Sequence, residues 1–346
     1  MQTTDPIANI LERFRQPADQ EISRILSTKP QTSLYEMARY HLGLDSSEGG
    51  IAGIHSGKRV RAAICCLSCA AAGGDPLSAA SAAAAIELLH SFTLIHDDIA
   101  DRDEMRRGRP AVWRNWGVGH ALTTGDALFA LANLVASNPS QLGIASETVC
   151  EIVRQLNEAT LTICEGQQFD LSYEGREDIS VDDYIDMIGR KTAALFAAAC
   201  SIGVLVAGGD LTQRNAMSDF GRQIGLGFQI RDDVLGIWGD SADLGKPIGS
   251  DLKRNKRSLP IVWALMAPDR PKKNAFMEIL RKGIEDDQQA AKATRLLDAI
   301  GARDACERMA RSCLDRGIEA LNRANPQAEP AADLQILASF LVERTS

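Results

Sequence analysis

Apolar side chains recur three and four positions apart along most of the chain, as at Ile86, Leu89 and Phe92 and again at Leu226, Ile230 and Val234. That spacing follows the helical turn and gathers the apolar positions on one face. Ala and Leu, both strong helix formers, are abundant throughout. No run alternates apolar and polar residues as a half-buried strand requires. Breaks fall at Gly73-Gly74-Asp75-Pro76, Arg107-Gly108-Arg109-Pro110, Asn138-Pro139-Ser140, Gly208-Gly209-Asp210, Gly239 through Gly249, Pro268 to Pro271 and Asn325-Pro326. Most breaks lie roughly 20 residues or more apart, so the helices between them are long. The pattern predicts an all-α fold of about ten or more helices, a single-domain bundle over residues 1–346 with an N-terminal helical extension over 1–30.

The longest apolar run, Thr192 to Gly209, follows Arg190 and Lys191, is rich in Ala and Gly, and is short for a membrane span. It reads as a buried helix, and no transmembrane segment is expected. The first thirty residues carry Asp5, Glu12, Arg13 and Arg15 and hold no apolar core of a secretory signal. The eight cysteines are irregularly spaced. Cys66 and Cys69 sit in an Ala-rich apolar run, which reads as core in a reducing, cytoplasmic setting.

Two stretches break the amphipathic rule. Residues 97–104 hold five acidic side chains (Asp97, Asp98, Asp101, Asp103 and Glu104) directly after an apolar stretch. Residues 227–235 repeat the device, an apolar helix ending in Asp232-Asp233. A solvated acidic face would account for either alone, but like charges on neighbouring helix positions repel. Two such clusters imply that something cationic belongs there. Asp97 and Asp101 are four apart, so both carboxylates share one helix face. Oxygen donors with no His or Cys at a workable spacing point to Mg2+, which keeps waters and is completed by substrate phosphates.

The net charge of −8 argues against a nucleic-acid partner. The cations are nonetheless grouped: Lys58 and Arg61 after Gly57, Arg106-Arg107-Gly108 after the first acidic cluster, Lys191-Thr192 opening an apolar helix, and Lys246 and Lys256 flanking Gly249-Ser250-Asp251. Arg and Lys suit diphosphate because they form charge-assisted hydrogen bonds to its oxygens. One diphosphate could be held through metal by the aspartates, and a second directly by Lys58, Arg61 and Arg107. Such a pair of sites suits a reaction that joins two diphosphate substrates.

With these segments in order, the chain resembles the trans-isoprenyl diphosphate synthases (polyprenyl synthetases), closest to bacterial geranylgeranyl diphosphate synthases. The resemblance covers roughly residues 35–345. It runs through Gly57-Lys58-Arg59-Val60-Arg61, the segment from Glu87 to Asp98 with Asp101, Arg106-Arg107-Gly108, Gly125-Asp126-Ala127-Leu128 and Gly166-Gln167 with Asp170. Lys191-Thr192-Ala193, Phe228 to Asp233 and Gly245 to Leu252 complete it. The resemblance implies the isoprenoid synthase fold, helices around a central cavity, and a homodimer. It implies that Asp97 and Asp101 bind two Mg2+ ions with Asp98 in support, and that Asp232 binds a third. Arg106, Lys191, Lys246 and Lys256 would hold the allylic diphosphate with those ions. Gly57, Lys58, Arg61, His90 and Arg107 would hold isopentenyl diphosphate. Thr192 and Gln229 would present oxygens to the developing allylic cation, with Gln167 and Asp170 lining the cavity. Released diphosphate would accept the final proton.

Departures set the alternatives. Gly236 stands where the common pattern has a third Asp, while the first Asp of that motif, the expected ligand, is present. Asp232-Asp233 with Gly236 and Asp240 also loosely fits the second metal motif of class I terpene cyclases. A cyclase ionises one diphosphate and would leave Lys58, Arg61, His90 and Arg107 without purpose. A non-catalytic regulatory subunit of a prenyl synthase is the other alternative, but such subunits typically lose the first Asp motif, which is intact here. Ala62 replaces a common Pro and Trp113 a common His. For product length, Phe92 lies five residues before Asp97, about 7.5 Å along a helix axis, where a ring could close the floor under a growing chain. Thr93 beside it is small. That combination, with no insertion inside the first Asp motif, favours a twenty-carbon product, with fifteen carbons next.

Overall fold

The computed structural model describes residues 5–44, 57–138, 144–239, 250–254 and 256–345. The described chain is helical apart from one hairpin of two-residue strands, and it divides into two compact units. The first comprises residues 1–160, 198–218 and 324–334, and the second 161–197, 219–323 and 335–346.

The first unit opens with α1 (Pro6–Ser27), started by Pro6 and by the Asp5 carboxylate, which accepts from Ile7 N at 3.0 Å. Its buried stripe (Phe14, Ala18, Ile22, Leu26) packs on α3 (Val60–Ala71) and α4 (Ala80–Ala100). Burying each such large side chain is worth about 1.5–3 kcal/mol. The short α2 (Ser33–Leu42) ends at Gly43, whose φ of 69° suits a residue without a Cβ. Arg59 is the internal tie. Its side chain is fully buried, pairs with Asp19 of α1 and lies 3.7 Å from Glu87 of α4, and it donates to the Leu42 carbonyl at 3.0 Å. Removing it would take a cation from beside the buried Glu87 and leave the half-buried Asp19, among the described residues, with only Arg15, 3.8 Å away.

After α4 the chain makes β1 (Met105–Arg106) and β2 (Arg109–Pro110), a hairpin that the periodicity does not foreshadow. Its two-residue turn, Arg107-Gly108, has φ of 53° and 75°, the conformation matched to strand twist. α5 (Val112–Trp116) and α6 (Val118–Ala136) follow, with α6 laid along α4. Cys65, Cys66 and Cys69 are buried in α3, and burial pushes the Cys66 and Cys69 thiols up to about 12, so they are core groups rather than nucleophiles.

α7 (Ser146–Tyr173), α9 (Ala194–Val206), α10 (Leu211–Trp238) and α16 (Ala328–Glu343) each have residues in both units. The second unit adds α8 (Val181–Ile188), α11 (Ser250–Lys253), α12 (Leu259–Met266), α13 (Arg270–Lys282), α14 (Asp287–Ile300) and α15 (Ala302–Arg323). Ile261, Leu265, Phe276, Leu280 and Leu297 form the centre of one core cluster there. Side chains stop and start these helices. Ser180 and Asp183 make a reciprocal capping box on α8, and Asp269 and Asp286 cap α13 and α14. The apolar run after Lys191 folds into α9, and 72% of an 18-residue apolar window within Val181–Val206 is buried inside the protein, as its reading as a core helix requires. One expectation needs correction: Asp232-Asp233 does not end its helix, because α10 continues to Trp238.

Candidate functional site

In the first unit the Gly-Lys-Arg segment, α2, α4 and the hairpin build a basic cradle. Gly57 has φ of 73°, and a Cβ there would meet the Arg107 guanidinium at 2.7 Å, so only glycine lets that side chain lie against the backbone. Arg61, in the first turn of α3, has Nη1 3.1 Å from His90 Nε2 on α4. A guanidinium only donates, so His90 accepts there as a neutral ring. Burial, then Arg61 and Arg107, hold the His90 pKa well below the usual imidazole range. Lys58 is exposed beside the cradle.

Two neighbours were not legible in the sequence. His41 of α2 is buried, and its Nε2 finds no hydrogen-bond partner among the described residues. Burial, then Arg107, Arg106 and Arg59, keep it neutral. Tyr40, next to it, pins the hairpin: its hydroxyl donates to the Pro110 carbonyl at 2.9 Å and its ring lies 3.8 Å from the Arg109 guanidinium carbon.

The first acidic cluster splits by direction. Asp97 and Asp101 lie at the end of α4, half-buried and exposed respectively. Asp98 turns inward and is 1% exposed; Arg106 donates to its Oδ1 from Nε at 2.8 Å and also from Nη2. Burial outweighs that pairing and raises the Asp98 carboxyl to about 6. Asp103, also buried, lies 3.7 Å from Arg106, and its carbonyl accepts from the Trp113 indole at 2.8 Å, which gives Trp113 a local structural role.

The second unit repeats the split. Asp232 is half-buried while Asp233, next in line, is 3% exposed. Arg344, from the chain's end, pairs with Asp232 and stacks 4.4 Å over the Phe228 ring. No motif pointed to it, because 112 residues separate the partners. Residues Gly189–Ala193 form a π-helical turn between α8 and α9, a feature common at functional sites. It sets Lys191 against Asp170, Nζ to Oδ2 at 2.6 Å, and Thr192 against Gln229, Oγ1 donating to Oε1 at 2.9 Å. Gly166 explains the small residue beside Gln167: a Cβ there would meet the Lys191 backbone nitrogen at 2.3 Å. Gln167 keeps its amide atoms buried and without a partner among the described residues. Burial pushes the Asp170 pKa up, but Lys191 and Lys256 outweigh it and hold the carboxyl below its usual value. Lys246 and Asp240 lie outside the described residues.

The structure therefore gathers Gly57, Arg61, His90 and Arg107 in one unit and Asp170, Lys191, Thr192 and Gln229 in the other. Among the described residues no three His, Cys, Asp or Glu side chains converge as a complete metal cage. Carboxylates in ones and twos fit Mg2+, which binds through one or two of them plus substrate phosphates.

A polyprenyl synthetase family model matches residues 52–297. The chain is similar to the geranylgeranyl diphosphate synthase of Mycobacterium tuberculosis (strain ATCC 25618 / H37Rv), 38% identical over 336 residues, 97% of this chain and 93% of that protein. Among solved structures it is similar to a polyprenyl synthetase from Streptomyces coelicolor A3(2), with a TM-score of 0.89 at 35% identity, covering 97% of this chain and 99% of that one. It is also similar to a geranylgeranyl pyrophosphate synthase from Corynebacterium glutamicum complexed with isoprenyl diphosphate and magnesium, with a TM-score of 0.79 at 26% identity, covering 98% of this chain and 97% of that one.

Proposed function

The chain belongs to the polyprenyl synthetase family and is a trans-prenyltransferase, and we propose that it condenses isopentenyl diphosphate with an allylic diphosphate to give geranylgeranyl diphosphate. The observation that carries this reading is the basic cradle, where Arg107 lies on Gly57 beside the Arg61–His90 pair. A cyclase that ionises one diphosphate has no use for it.

In the proposed division of labour, Lys58, Arg61, His90 and Arg107 bind isopentenyl diphosphate through charge-assisted hydrogen bonds. Asp97 and Asp101 hold two Mg2+ ions and Asp232 a third, with Asp98 bracing Arg106. When bound, Mg2+ supplies positive charge to the diphosphate that departs. Arg106, Lys191, Lys246 and Lys256 add hydrogen bonds to the same group. The allylic C–O bond breaks, and Thr192 and Gln229 present oxygens to the cation left behind. The alkene of isopentenyl diphosphate attacks that carbon, and a proton then passes to the released diphosphate. Apolar walls, with Gln167 and Asp170 at their edge, exclude the water that would quench the cation. The proposal takes residues 1–346 as one catalytic domain, in the cytoplasm. It takes a second copy of the chain as partner, covering the exposed Val118, Leu122 and Leu134 of α6, which light scattering tests.

Phe92 is the proposed floor for the growing chain, with the small Thr93 leaving room beside it. Its ring packs 4.8 Å from His96 and 5.4 Å from Phe129. Phe92→Ala lengthens the product on this reading, and an unchanged product distribution removes Phe92 from that role. Chromatography of dephosphorylated products from isopentenyl diphosphate with five-, ten- and fifteen-carbon starters tests the whole assignment. The expected result is a Mg2+-dependent twenty-carbon alcohol. Hydrocarbon formed from an allylic diphosphate alone would support the cyclase, and Mg2+-dependent turnover by the isolated chain excludes the regulatory subunit.

A further inference from the structure

We propose that Tyr184 and Asp233 are positioning residues that fix the orientation of the Gln229 amide, and through it the oxygens offered to the allylic cation. The inference rests on the prenyltransferase reading and deepens it.

Four hydrogen bonds run in series through the second unit. Tyr184 of α8, 2% exposed, donates its hydroxyl to Asp233 Oδ2 at 2.5 Å. The Leu259 backbone N–H, at the start of α12, donates to the same oxygen at 3.1 Å. Gln229 Nε2 donates to Asp233 Oδ1 at 3.1 Å, from one turn earlier on α10. Thr192 Oγ1, in the π-helical turn, donates to Gln229 Oε1 at 2.9 Å.

Direction is what this series supplies. A primary amide presents either a carbonyl or an NH2 group to a given neighbour, and the two have nearly the same shape. A carboxylate accepts and does not donate. Asp233 therefore requires the NH2 of Gln229, which turns the amide oxygen towards Thr192. The Thr192 proton is then committed to that oxygen, so the Thr192 lone pairs, and the remaining one on Gln229, are left to accept. A group of fixed lone pairs with no proton to give suits a carbocation, and it costs no reorganisation when charge develops. Asp233 is itself held in place: a carboxylate this buried needs donors, and Tyr184 and Leu259 provide two besides Gln229. Tyr184 sits on the helix before the π-helical turn and Asp233 one turn past Gln229, so the series ties together four elements, α8, the π-helical turn, α10 and the start of α12, that the chemistry must keep in register.

The test is a double-mutant cycle with Tyr184→Phe, which removes one oxygen, read in wild-type and Gln229→Ala backgrounds. In the wild-type background Tyr184→Phe lowers kcat about five- to tenfold, the scale of one lost hydrogen bond, with both KM values within about twofold. It also raises the share of allylic diphosphate that ends as alcohol by water capture. In the Gln229→Ala background it changes kcat by less than about 1.5-fold, because residues acting through one partner are not additive. Asp233→Asn, whose amide tolerates either face of Gln229, lowers kcat by more than Tyr184→Phe and also loses its effect in the Gln229→Ala background; it carries the test should Tyr184→Phe fail to fold. An equal loss in both backgrounds, or a raised KM at constant kcat, overturns the inference and leaves the prenyltransferase intact. Absence of chain elongation by the wild-type protein with every starter overturns the underlying reading instead.

Discussion

The two acidic pairs are alike on the outside and different on the inside. In Asp97-Asp98 and Asp232-Asp233 the first carboxylate stays near solvent and the second is buried. Asp98 is held by a charged partner, Arg106, and burial still leaves its carboxyl raised to about 6. Asp233 is held by Tyr184, Leu259 N and Gln229. The outer members differ too. Asp97 has Asp101 one turn on, whereas Asp232 has Gly236 there and Arg344 against it. In the first unit, then, the brace is a cation proposed to bind diphosphate. In the second the donors named on the inner carboxylate, a phenol, an amide and a backbone N–H, are uncharged, and a cation sits on the outer carboxylate. A repeated motif can thus keep one outward geometry while its support is reinvented.

The largest expected effect is at the outer carboxylates. Asp97→Ala and Asp232→Ala each lower kcat/KM by about a thousandfold, the scale of losing a principal group that stabilises developing charge. Steady-state kinetics at saturating Mg2+ checks both. A loss under tenfold at Asp232 alone would break the parallel and leave metal binding to the first unit.

Next in size is Gly57→Ala. The added Cβ would fall 2.7–2.8 Å from three atoms of the Arg107 guanidinium, in a backbone conformation that disfavours side chains. Arg107 must move. The KM for isopentenyl diphosphate rises about tenfold while that for the allylic substrate stays within about twofold, because a displaced cation loses its hydrogen bonds but only its own substrate notices. Equal changes in both would mean that the cradle serves both diphosphates.

Much of this molecule could be read in advance, and the exceptions share a cause. Helices follow from periodicity, which is local, and the motif residues were recognisable by type and order. The inward turn of Asp98 and Asp233 was not, because burial of one carboxylate in a pair depends on which neighbour supplies donors. Arg106 lies eight residues from Asp98, and Tyr184 lies 49 residues from Asp233. Arg59 reads as one more cation of the Gly-Lys-Arg segment, yet φ of 45° sends it inward to Asp19 and Glu87. His41 carries no motif, and Arg344 lies beyond the last one. The hairpin left a trace in Arg107-Gly108, a pair that accepts two positive φ values, but strands this short have no periodicity to detect.

A smaller effect separates the outer carboxylates. Arg344 and Mg2+ cannot both engage the Asp232 oxygen that Arg344 now holds. Arg344→Ala therefore tightens Mg2+ binding measured by calorimetry with inorganic diphosphate present, by about three- to fivefold, the worth of a partly exposed ion pair. The same experiment on a first-unit control, Arg114→Ala, leaves the affinity unchanged, since Arg114 faces Glu104 on the surface. Weaker binding in Arg344→Ala would make Arg344 a ligand of the diphosphate rather than a competitor of the metal.

The smallest effect is on stability, and it too divides the units. All five histidines fall within residues 41–120, so the buried His41 and the half-buried His90 both belong to the first unit. Each has its pKa held well below 6.5 by burial and neighbouring guanidiniums. Above pH 6.5 the imidazoles are mostly neutral in folded and unfolded chains alike, and their contribution to stability is fully present. Below it the unfolded chain takes up protons that the fold refuses, and stability falls with pH by about 1.4 kcal/mol per pH unit for each histidine. Asp170, the paired carboxylate of the second unit, has its pKa lowered from 3.8, so its loss of stability begins only at more acid pH; Asp98, raised to about 6, takes up a proton in the fold within this window and offsets part of the slope, in wild type and variant alike. His41→Gln removes one of the two titrating rings without adding another. Urea unfolding at half-unit steps from pH 7 to pH 5.5 then shows a slope shallower than wild type by an amount that grows through the window and approaches one proton at pH 5.5. Parallel slopes would mean that His41 carries its proton inside the fold, which would require an anionic partner beside Arg107 and would recast the cradle as already neutralised.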